Sequence, residues 1–275
     1  MKNNVAIIAC GWLGQPLAHA LQAQGWQIQG TRRSEAGVQQ LQADGIEAVC
    51  LDLARPESLI HAAKAGLFSA EHIIINIPPG LRSGQSPADY LGQLQALKQA
   101  IITYGHGRVM FISTTGVYPN GVVDETTEPA NDARAQVFVA AEQLFADLPK
   151  TCIVRLAGLV GPGRHPGRFF AGKTEVSGGD LAVNLVHLDD CIAGVSLLLQ
   201  VSATGIYNLC APEHLSKREF YQQAALALGK TAPTFIAEPQ MAGADKRVNG
   251  HKICRQHGFR YQHARLIPML ANGSL

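Results

Sequence analysis

The feature that most constrains the fold is a regular alternation of short apolar runs with longer amphipathic stretches. Six runs in the first part of the chain are each short enough for one buried strand: residues 5–9, 26–31, 48–53, 72–77, 108–113 and 152–157. The stretches between them place apolar residues at helical spacing. Continuous apolar strands separated by helices are typical of parallel strands covered on both faces. The sequence therefore predicts an α/β fold, a Rossmann-type doubly wound parallel sheet.

The alternation of short apolar runs with amphipathic stretches ends after Gly161, and the predicted domain boundary is placed there. A loop rich in glycine and proline follows, and the next strand is predicted at residues 181–188. We assign residues 1–160, together with 180–205, to a Rossmann domain, a fold that commonly binds a dinucleotide such as NAD(P) at the ends of its strands. Residues 161–275 are predicted to form, for the most part, a smaller C-terminal substrate-binding lobe.

Charge and composition exclude several classes of partner. The formal net charge is +2 over 275 residues, without a basic stripe, so nothing favours nucleic acid or an anionic membrane. The chain opens with no basic and apolar leader, and its first apolar run is too short to cross a bilayer. The six cysteines are scattered without a C-x-x-C pair, which favours reduced thiols over a zinc site or disulfides. We expect a cytoplasmic protein, monomer or homodimer, that binds a small molecule and no metal.

The segment between the first strand and the first helix has the pattern of a dinucleotide-binding turn. Gly11 would let the backbone approach a pyrophosphate, Gly14 would let the helix pack on the strand, and the free amides at the helix start would hold phosphate. We predict cofactor contacts from Gly11, Trp12, Leu13 and Gly14. The first glycine of the motif is missing: Ala9 replaces it in the G-x-G-x-x-G register and Ile8 in the G-x-x-G-x-x-G register. Alanine is acceptable there if its φ stays negative. The alternative is an ordinary strand–helix turn.

The residues after the second strand determine the predicted cofactor. NAD-binding proteins usually place an acidic residue there, whereas this chain has Thr31, Arg32 and Arg33. Guanidinium groups suit a 2′-phosphate, so NADP is favoured over NAD. The alternative is that the two arginines only solvate a loop. After the third strand, Asp52 and Leu53 could line an adenine pocket, although Asp52 could equally cap the next turn.

Several motifs resemble those of the extended short-chain dehydrogenase/reductase superfamily, of the NAD-dependent epimerase/dehydratase type, and of an atypical branch within it. The resemblance covers nearly the whole chain, and its motifs are GWLGQPLA, DLARPESL, FISTTGVYP, RLAGLVGPGRHPGRFFAGK, NLVHLDDCIAG and IYNLCAP. It implies a cofactor that runs past the end of the fourth strand, in contact with Ile77 and Pro78. The prolines of that segment could instead only rigidify the strand exit.

The resemblance also implies catalytic residues. The catalytic serine or threonine of the superfamily corresponds to Thr114, which would hydrogen-bond the reacting oxygen. The Tyr-x-x-x-Lys pair falls on Arg134 and Phe138, and neither side chain can do the work of the residue that it replaces. This departure argues against the ordinary redox mechanism. Tyr118 is the candidate proton donor, with a structural role as the alternative, and for His187 a helix-cap contact is favoured over a catalytic base.

Four basic residues lie in the loop after the sixth strand: Arg164, His165, Arg168 and Lys173. We predict that they bind an anionic group of the substrate or of the cofactor. The alternative is a solvated basic loop without a ligand.

These observations give two hypotheses for the function. The first is an NAD(P)-dependent oxidoreductase or epimerase that acts on a small anionic or nucleotide-sugar-like substrate with a degenerate Tyr-Lys site. The second is a non-catalytic regulatory protein that senses NADP. Turnover of bound NADPH would distinguish the two.

Overall fold

A computed structural model describes residues 3–80, 84–105, 107–237, 245–271 and 275. Its strands are β1 (Asn4–Ile8), β2 (Gln27–Arg32), β3 (Glu47–Cys50), β4 (His72–Ile75), β5 (Arg108–Thr114), β6 (Gly121–Val123), β7 (Cys152–Leu156), β8 (Gly158–Val160), β9 (Leu185–His187), β10 (Gly205–Leu209) and β11 (Lys246–Val248). Its α-helices are α1 (Gly14–Ala23), α2 (Glu35–Ala43), α3 (Pro56–Lys64), α4 (Pro87–Tyr104), α5 (Ala133–Ala146), α6 (Leu188–Gln200), α7 (Lys217–Ala227), α8 (Lys252–His257) and α9 (Leu266–Ala271). None of these helices is both long and apolar enough to span a membrane.

Seven strands form the central sheet, in the order β10-β7-β5-β4-β1-β2-β3. β1 runs parallel to both β2 and β4, and the pairs β2–β3 and β4–β5 are parallel as well. The strand order reverses beside β1, and doubly wound sheets bind their ligands at the carboxyl ends of the strands at such a point. The predicted Rossmann-type doubly wound parallel sheet is confirmed.

The apolar runs become strands because helices bury them on both faces. All four residues of β4 are buried, and Ile73 and Ile75 lie in a core together with side chains from α3, α4 and α5. Within this core Phe111 of β5 stacks on Phe145 of α5, with ring centroids 5.0 Å apart. A continuous apolar strand is stable only where both of its faces are covered in this way.

α5 is the helix on which the resemblance places the catalytic pair of the superfamily. The Asp132 carboxylate caps its first turn by accepting two backbone N–H groups. Val137, Ala141 and Phe145 recur at helical spacing and pack into the core. The sequence of α5 is therefore sufficient to form and dock the helix without the catalytic residues.

The chain divides into two compact units, and each is described by itself. The first unit comprises Met1–Ser113, Asp132–Val154 and Val195–Ile206. The second unit comprises Thr114–Asn131, Arg155–Gly194 and Tyr207–Leu275.

The second unit has two small parallel sheets, β6–β11 and β8–β9, and an apolar cluster around Phe220 of α7 and Leu266 of α9. β9 covers only three of the eight residues in the strand predicted at 181–188, and it pairs with β8. The later strand that extends the central sheet is β10. Substrate binding by the C-terminal lobe stays a prediction.

Candidate functional site

The loop between β1 and α1 is the predicted dinucleotide-binding turn, and it contains one strained residue. Ala9 has a φ of +71°, in the left-handed region that glycine adopts freely and alanine rarely. The expectation of a negative φ at this alanine is therefore wrong. The left-handed conformation costs a residue with a Cβ about 1–2 kcal/mol, so the surrounding structure must hold Ala9 in place.

Hydrogen bonds hold both peptide groups of Ala9. Its N–H donates to Thr31 Oγ1 over 2.9 Å. Its carbonyl oxygen accepts from the Gly11 N–H (2.8 Å) and from Asn76 Nδ2 (3.2 Å). Thr31 is only 2% exposed, so this predicted cofactor residue lies beneath the turn and supports it.

Gly11 and Gly14 differ in the space that surrounds them. A methyl group added at Gly14 would lie 2.7 Å from the Ala9 carbonyl oxygen, so glycine is what allows α1 to begin this close to β1. A methyl group added at Gly11 would meet no described atom within 4 Å beyond its chain neighbours. The turn is therefore closed on its Gly14 side and open at Gly11.

The start of α1 is suited to an anion. No described side chain caps the helix at Leu13, which is buried, and the first turn contains no acidic residue. Trp12, half-buried, precedes Leu13 in the turn. Backbone N–H groups at a helix start carry partial positive charge and bind phosphate readily. The Gln15 N–H already donates to the Gly11 carbonyl oxygen (3.0 Å) and Pro16 has no N–H, so an anion would bind to N–H groups before Gln15. The open side of Gly11 gives a phosphate room beside these groups.

Arg32 and Arg33 lie at the end of β2. Arg32 Nη2 donates to Gln15 Oε1 of α1 over 2.6 Å, which fixes the guanidinium group. Arg32 Nε is buried and has no hydrogen-bond partner among the described residues. A buried donor without an acceptor is costly, and an anionic ligand atom would satisfy it. Arg33 is exposed. The residues of the first unit thus fit a dinucleotide.

Three of the four remaining residues predicted to contact a cofactor have structural contacts within the protein. Asp52 accepts a backbone N–H of its own turn (3.2 Å) and the Arg55 Nε (3.1 Å). Leu53 and Ile77 pack against the apolar core, while Pro78 is exposed. Of the two interpretations of Asp52, the structure favours the cap of the next turn.

Thr114 ends β5 and begins a 3-10 turn at Thr115–Val117. Its Oγ1 accepts the backbone N–H two residues later (3.0 Å), which leaves the hydroxyl hydrogen to donate to a ligand. Lys246 Nζ, from β11, donates to the carbonyl oxygens of Thr115 (3.3 Å) and Tyr118 (3.2 Å). Lys246 therefore fixes the Thr114 loop. Sequence reasoning missed it, because no local pattern connects residues 131 positions apart.

Tyr118 is held in a buried network. It is 3% exposed, and its hydroxyl donates to Asn208 Oδ1 over 2.9 Å. The Arg155 guanidinium lies 4.8 Å from the centroid of its ring. Burial raises the pKa of the Tyr118 hydroxyl, and the nearby Arg155 charge lowers it by a smaller amount. These contacts agree with the structural alternative for Tyr118 and give no support to a role as proton donor.

The two α5 positions that the resemblance assigns to the catalytic pair lie in different surroundings. Arg134 is exposed, whereas Phe138 is 8% exposed and packs as an apolar residue. One turn beyond Phe138, the buried Glu142 carboxylate accepts a hydrogen bond from the Ser113 hydroxyl. α5 thus contributes an acceptor that fixes Ser113, a contact that sequence reasoning did not predict.

The loop that contains Arg164, His165, Arg168 and Lys173, here called the basic loop, packs against α7. Gly167 lies so close to this helix that an added methyl group would overlap the Ala224 carbonyl group. Phe170 meets the Tyr221 ring edge-on, with centroids 4.7 Å apart. His165 is 7% exposed, and its Nδ1 accepts the Gly167 N–H over 3.0 Å. His165 therefore fastens the loop.

The other basic residues of this loop remain accessible. Arg164, Arg168 and Lys173 are exposed. Lys173 Nζ lies 5.3 Å from the centroid of the Phe170 ring, a cation–π distance. A loop that is anchored by packing and still presents cations differs from a loose basic linker, because its charges are held in defined positions.

Within the described part of the chain, one group of side chains comes near enough to hold a metal ion: His187, Asp189 and His263. His187 Nδ1 accepts the Asp189 N–H over 3.1 Å, so its lone pair is engaged at the start of α6. The positive end of a helix also disfavours a cation. The contact matches the helix-cap role favoured for His187, and we assign no metal to this group.

Comparison with known proteins identifies a matching family and a relative that covers nearly the whole chain. A sequence profile described as the NAD dependent epimerase/dehydratase family matches residues 9–210. The protein YeeZ of Escherichia coli strain K12 is 42% identical over 269 residues, which covers 95% of this chain and 96% of YeeZ.

Two solved structures show the same fold. The UDP-glucose 4-epimerase of Thermus thermophilus, in complex with NAD, has a TM-score of 0.79 at 20% identity and covers 99% of this chain and 100% of its own. Human epimerase family protein SDR39U1 (isoform 2), with NADPH, has a TM-score of 0.75 at 18% identity and covers 98% of both chains.

Proposed function

Since the chain belongs to the NAD-dependent epimerase/dehydratase family, as its motifs predicted, we propose that it binds a nicotinamide dinucleotide at the β1–α1 turn. The observation that carries this proposal is the open side of Gly11 beside the uncapped start of α1. There the backbone N–H groups bind pyrophosphate oxygens, and Gly14 keeps the helix close to the strand.

The proposed cofactor is NADP(H) in preference to NAD(H). The described solved relatives hold NADPH in one case and NAD in the other, so the fold accepts both. The choice therefore depends on the residues of this chain. Arg32 offers a fixed guanidinium with a buried, unsatisfied Nε, and Arg33 offers a second, exposed one. Both favour a 2′-phosphate over the two ribose hydroxyls.

The proposed activity is of the oxidoreductase or epimerase type, on a small anionic or nucleotide-sugar-like substrate. The bound nicotinamide supplies hydride transfer. The Thr114 hydroxyl donates a hydrogen bond to a substrate oxygen, while Lys246 keeps the loop of Thr114 fixed. The nucleotide-sugar class is supported by the Thermus relative, whose name gives UDP-glucose as its substrate. The exposed cations of the basic loop suit the anionic part of such a molecule.

A non-catalytic NADP sensor is the second candidate function. It is favoured by the burial of Phe138 and the exposure of Arg134, because neither side chain can shuttle a proton at neutral pH. The two candidates are separated by following NADPH absorbance with panels of carbonyl compounds and nucleotide sugars. Turnover supports the enzyme, whereas tight binding without turnover supports the sensor.

Calorimetric titration with NADP⁺, NADPH, NAD⁺ and NADH tests the cofactor proposal. We expect NADP(H) to bind at least about tenfold more tightly, since one charge-assisted contact contributes about 1.5–3 kcal/mol. Failure of all four dinucleotides to bind would overturn the proposed function. Equal affinities would leave the turn as the binding site and remove the arginines from cofactor selection.

Replacing Arg164 and Arg168 together by alanine is expected to weaken substrate-analogue binding about 10- to 100-fold, because two exposed cations of an anchored loop are lost. Titration of nucleotide sugars and small carboxylates into cofactor-saturated protein measures this. Thermal unfolding should barely change, since both side chains are exposed. Arg260→Ala, an exposed arginine of the same unit, is the matched control. Unchanged affinity in the double variant, or an equal loss in the control, would contradict an anion site in this loop.

A further inference from the structure

Ala9 stands where the dinucleotide fingerprint has its first glycine, yet the turn keeps a backbone that suits glycine. With φ at +71°, Ala9 occupies the left-handed region in spite of its Cβ. In most such turns glycine adopts this conformation without help. Here other residues must enforce it, and the contacts of Ala9 identify them.

Side chains in or directly after the two strands that flank β1 form hydrogen bonds with the N–H and with the carbonyl oxygen of Ala9. Thr31, on β2, accepts the Ala9 N–H at its Oγ1, and its own carbonyl oxygen accepts the next N–H in the turn, from Cys10 (3.0 Å). Asn76, directly after β4, donates from Nδ2 to the Ala9 carbonyl oxygen. β2 and β4 flank β1 in the sheet, so the grip comes from both sides of the strand that leads into the turn.

We propose that Thr31 and Asn76 are positioning residues that clamp Ala9 and thereby aim the Gly11–Gly14 turn at the pyrophosphate of the cofactor. This inference rests on the proposed function. Thr31 acts through Ala9 and does not touch the cofactor, as its 2% exposure requires. The Ala9 clamp, meaning Thr31 and Asn76, supplies by hydrogen bonds what glycine supplies by conformational freedom.

The clamp makes the role of one hydroxyl testable. Thr31→Val keeps the shape of the side chain and removes the acceptor, so the Ala9 N–H is left without a partner. We expect NADP affinity to fall about 10-fold, because Ala9 then relaxes out of the left-handed region and the bound state has to restore it. Thr31→Ser keeps the hydroxyl and should stay within about threefold of the wild type.

Rescue by glycine separates positioning from general stability. In an Ala9→Gly background the backbone adopts a positive φ without strain, so adding Thr31→Val should cost less than about fivefold in affinity. If Thr31 had only a structural role, Thr31→Val would lower the melting temperature and leave NADP affinity unchanged at temperatures well below it. Asn76→Ala is a milder second variant, because the Ala9 carbonyl keeps the Gly11 N–H; about threefold weaker binding is expected.

The experiment is calorimetric titration of NADP into the wild type, the four single variants and the Ala9→Gly/Thr31→Val double variant, with a thermal melt of each. The clamp is overturned if Thr31→Val binds as the wild type does, or if the double variant is as weak as Thr31→Val alone. If the wild type binds no dinucleotide, the proposed function fails and the aiming role falls with it. The melts then still test the clamp itself, since additive effects of Ala9→Gly and Thr31→Val on the melting temperature would refute it.

Discussion

Replacing Gly14 by alanine is expected to lower the free energy of unfolding by about 3 kcal/mol. The new methyl group would lie 2.7 Å from the Ala9 carbonyl oxygen, a distance that real Cβ atoms essentially never show. The obstacle is backbone, and hydrogen bonds to that carbonyl hold it in place. Relief would require α1 to move away from β1. Urea unfolding followed by circular dichroism measures the loss.

Gly11→Ala is the matched control within the same turn. Its methyl group meets no described atom within 4 Å beyond its neighbours, so the free energy of unfolding should change by less than about 1 kcal/mol. NADP affinity should nevertheless fall about 100-fold or more, because the methyl group occupies the side where the backbone approaches the pyrophosphate.

The contrast between the two glycines is the informative result. Gly14→Ala should lose stability, whereas Gly11→Ala should keep stability and lose binding. If Gly11→Ala bound NADP as the wild type does, the open side of the turn would not be where the dinucleotide lies. If Gly14→Ala were as stable as the wild type, the close approach of α1 to β1 would not be a constraint.

The sequence was sufficient to predict the fold, because the relevant signals are local and repeated. Each buried strand is a continuous apolar run, as in β4, and each helix between strands shows helical spacing of apolar residues. The boundaries were predicted less well where the chain becomes irregular. β9 comprises only Leu185–His187, the residues that pair with β8.

The candidate site was predictable in its elements and not in its contacts. The motifs located the turn, the arginines after β2 and the Thr114 loop. They could not show that Ala9 has a positive φ, because the backbone there depends on Thr31 and Asn76, which are 22 and 67 residues away. Contacts of this kind arise only when the chain has folded.

The same reason explains why sequence patterns leave the roles of single side chains near a site open. Tyr118 follows Thr114 closely and has the chemistry of a proton donor, yet its hydroxyl is committed to Asn208, 90 residues away. The sequence predicts His165 to be one of four anion-binding residues of the basic loop, yet its ring is buried and its Nδ1 accepts a backbone N–H. Residue type suggests a role, and burial together with hydrogen-bond partners decides between that role and a structural one.

Replacing Arg32 and Arg33 together by alanine is expected to weaken NADP binding about 100-fold or more and NAD binding by less than about threefold. Each guanidinium–phosphate contact contributes about 1.5–3 kcal/mol, and NAD lacks the 2′-phosphate that the two arginines would contact. Arg32 should account for the larger share, because Gln15 holds its guanidinium and less side-chain entropy is lost on binding. Arg33 is exposed and more free to move. Calorimetric titration of both cofactors into both single variants and the double variant measures these shares.

Arg55→Ala provides the control, since Arg55 is an exposed arginine of the same unit that pairs with Asp52 over 3.1 Å. It should leave both affinities unchanged, because the lost charge lies outside the proposed phosphate contact. If NAD binding fell as far as NADP binding in the Arg32/Arg33 variant, the arginines would contact a group that both cofactors share. If NADP binding did not change, the arginines would only solvate the loop after β2, and the unsatisfied Arg32 Nε would call for a different anionic ligand.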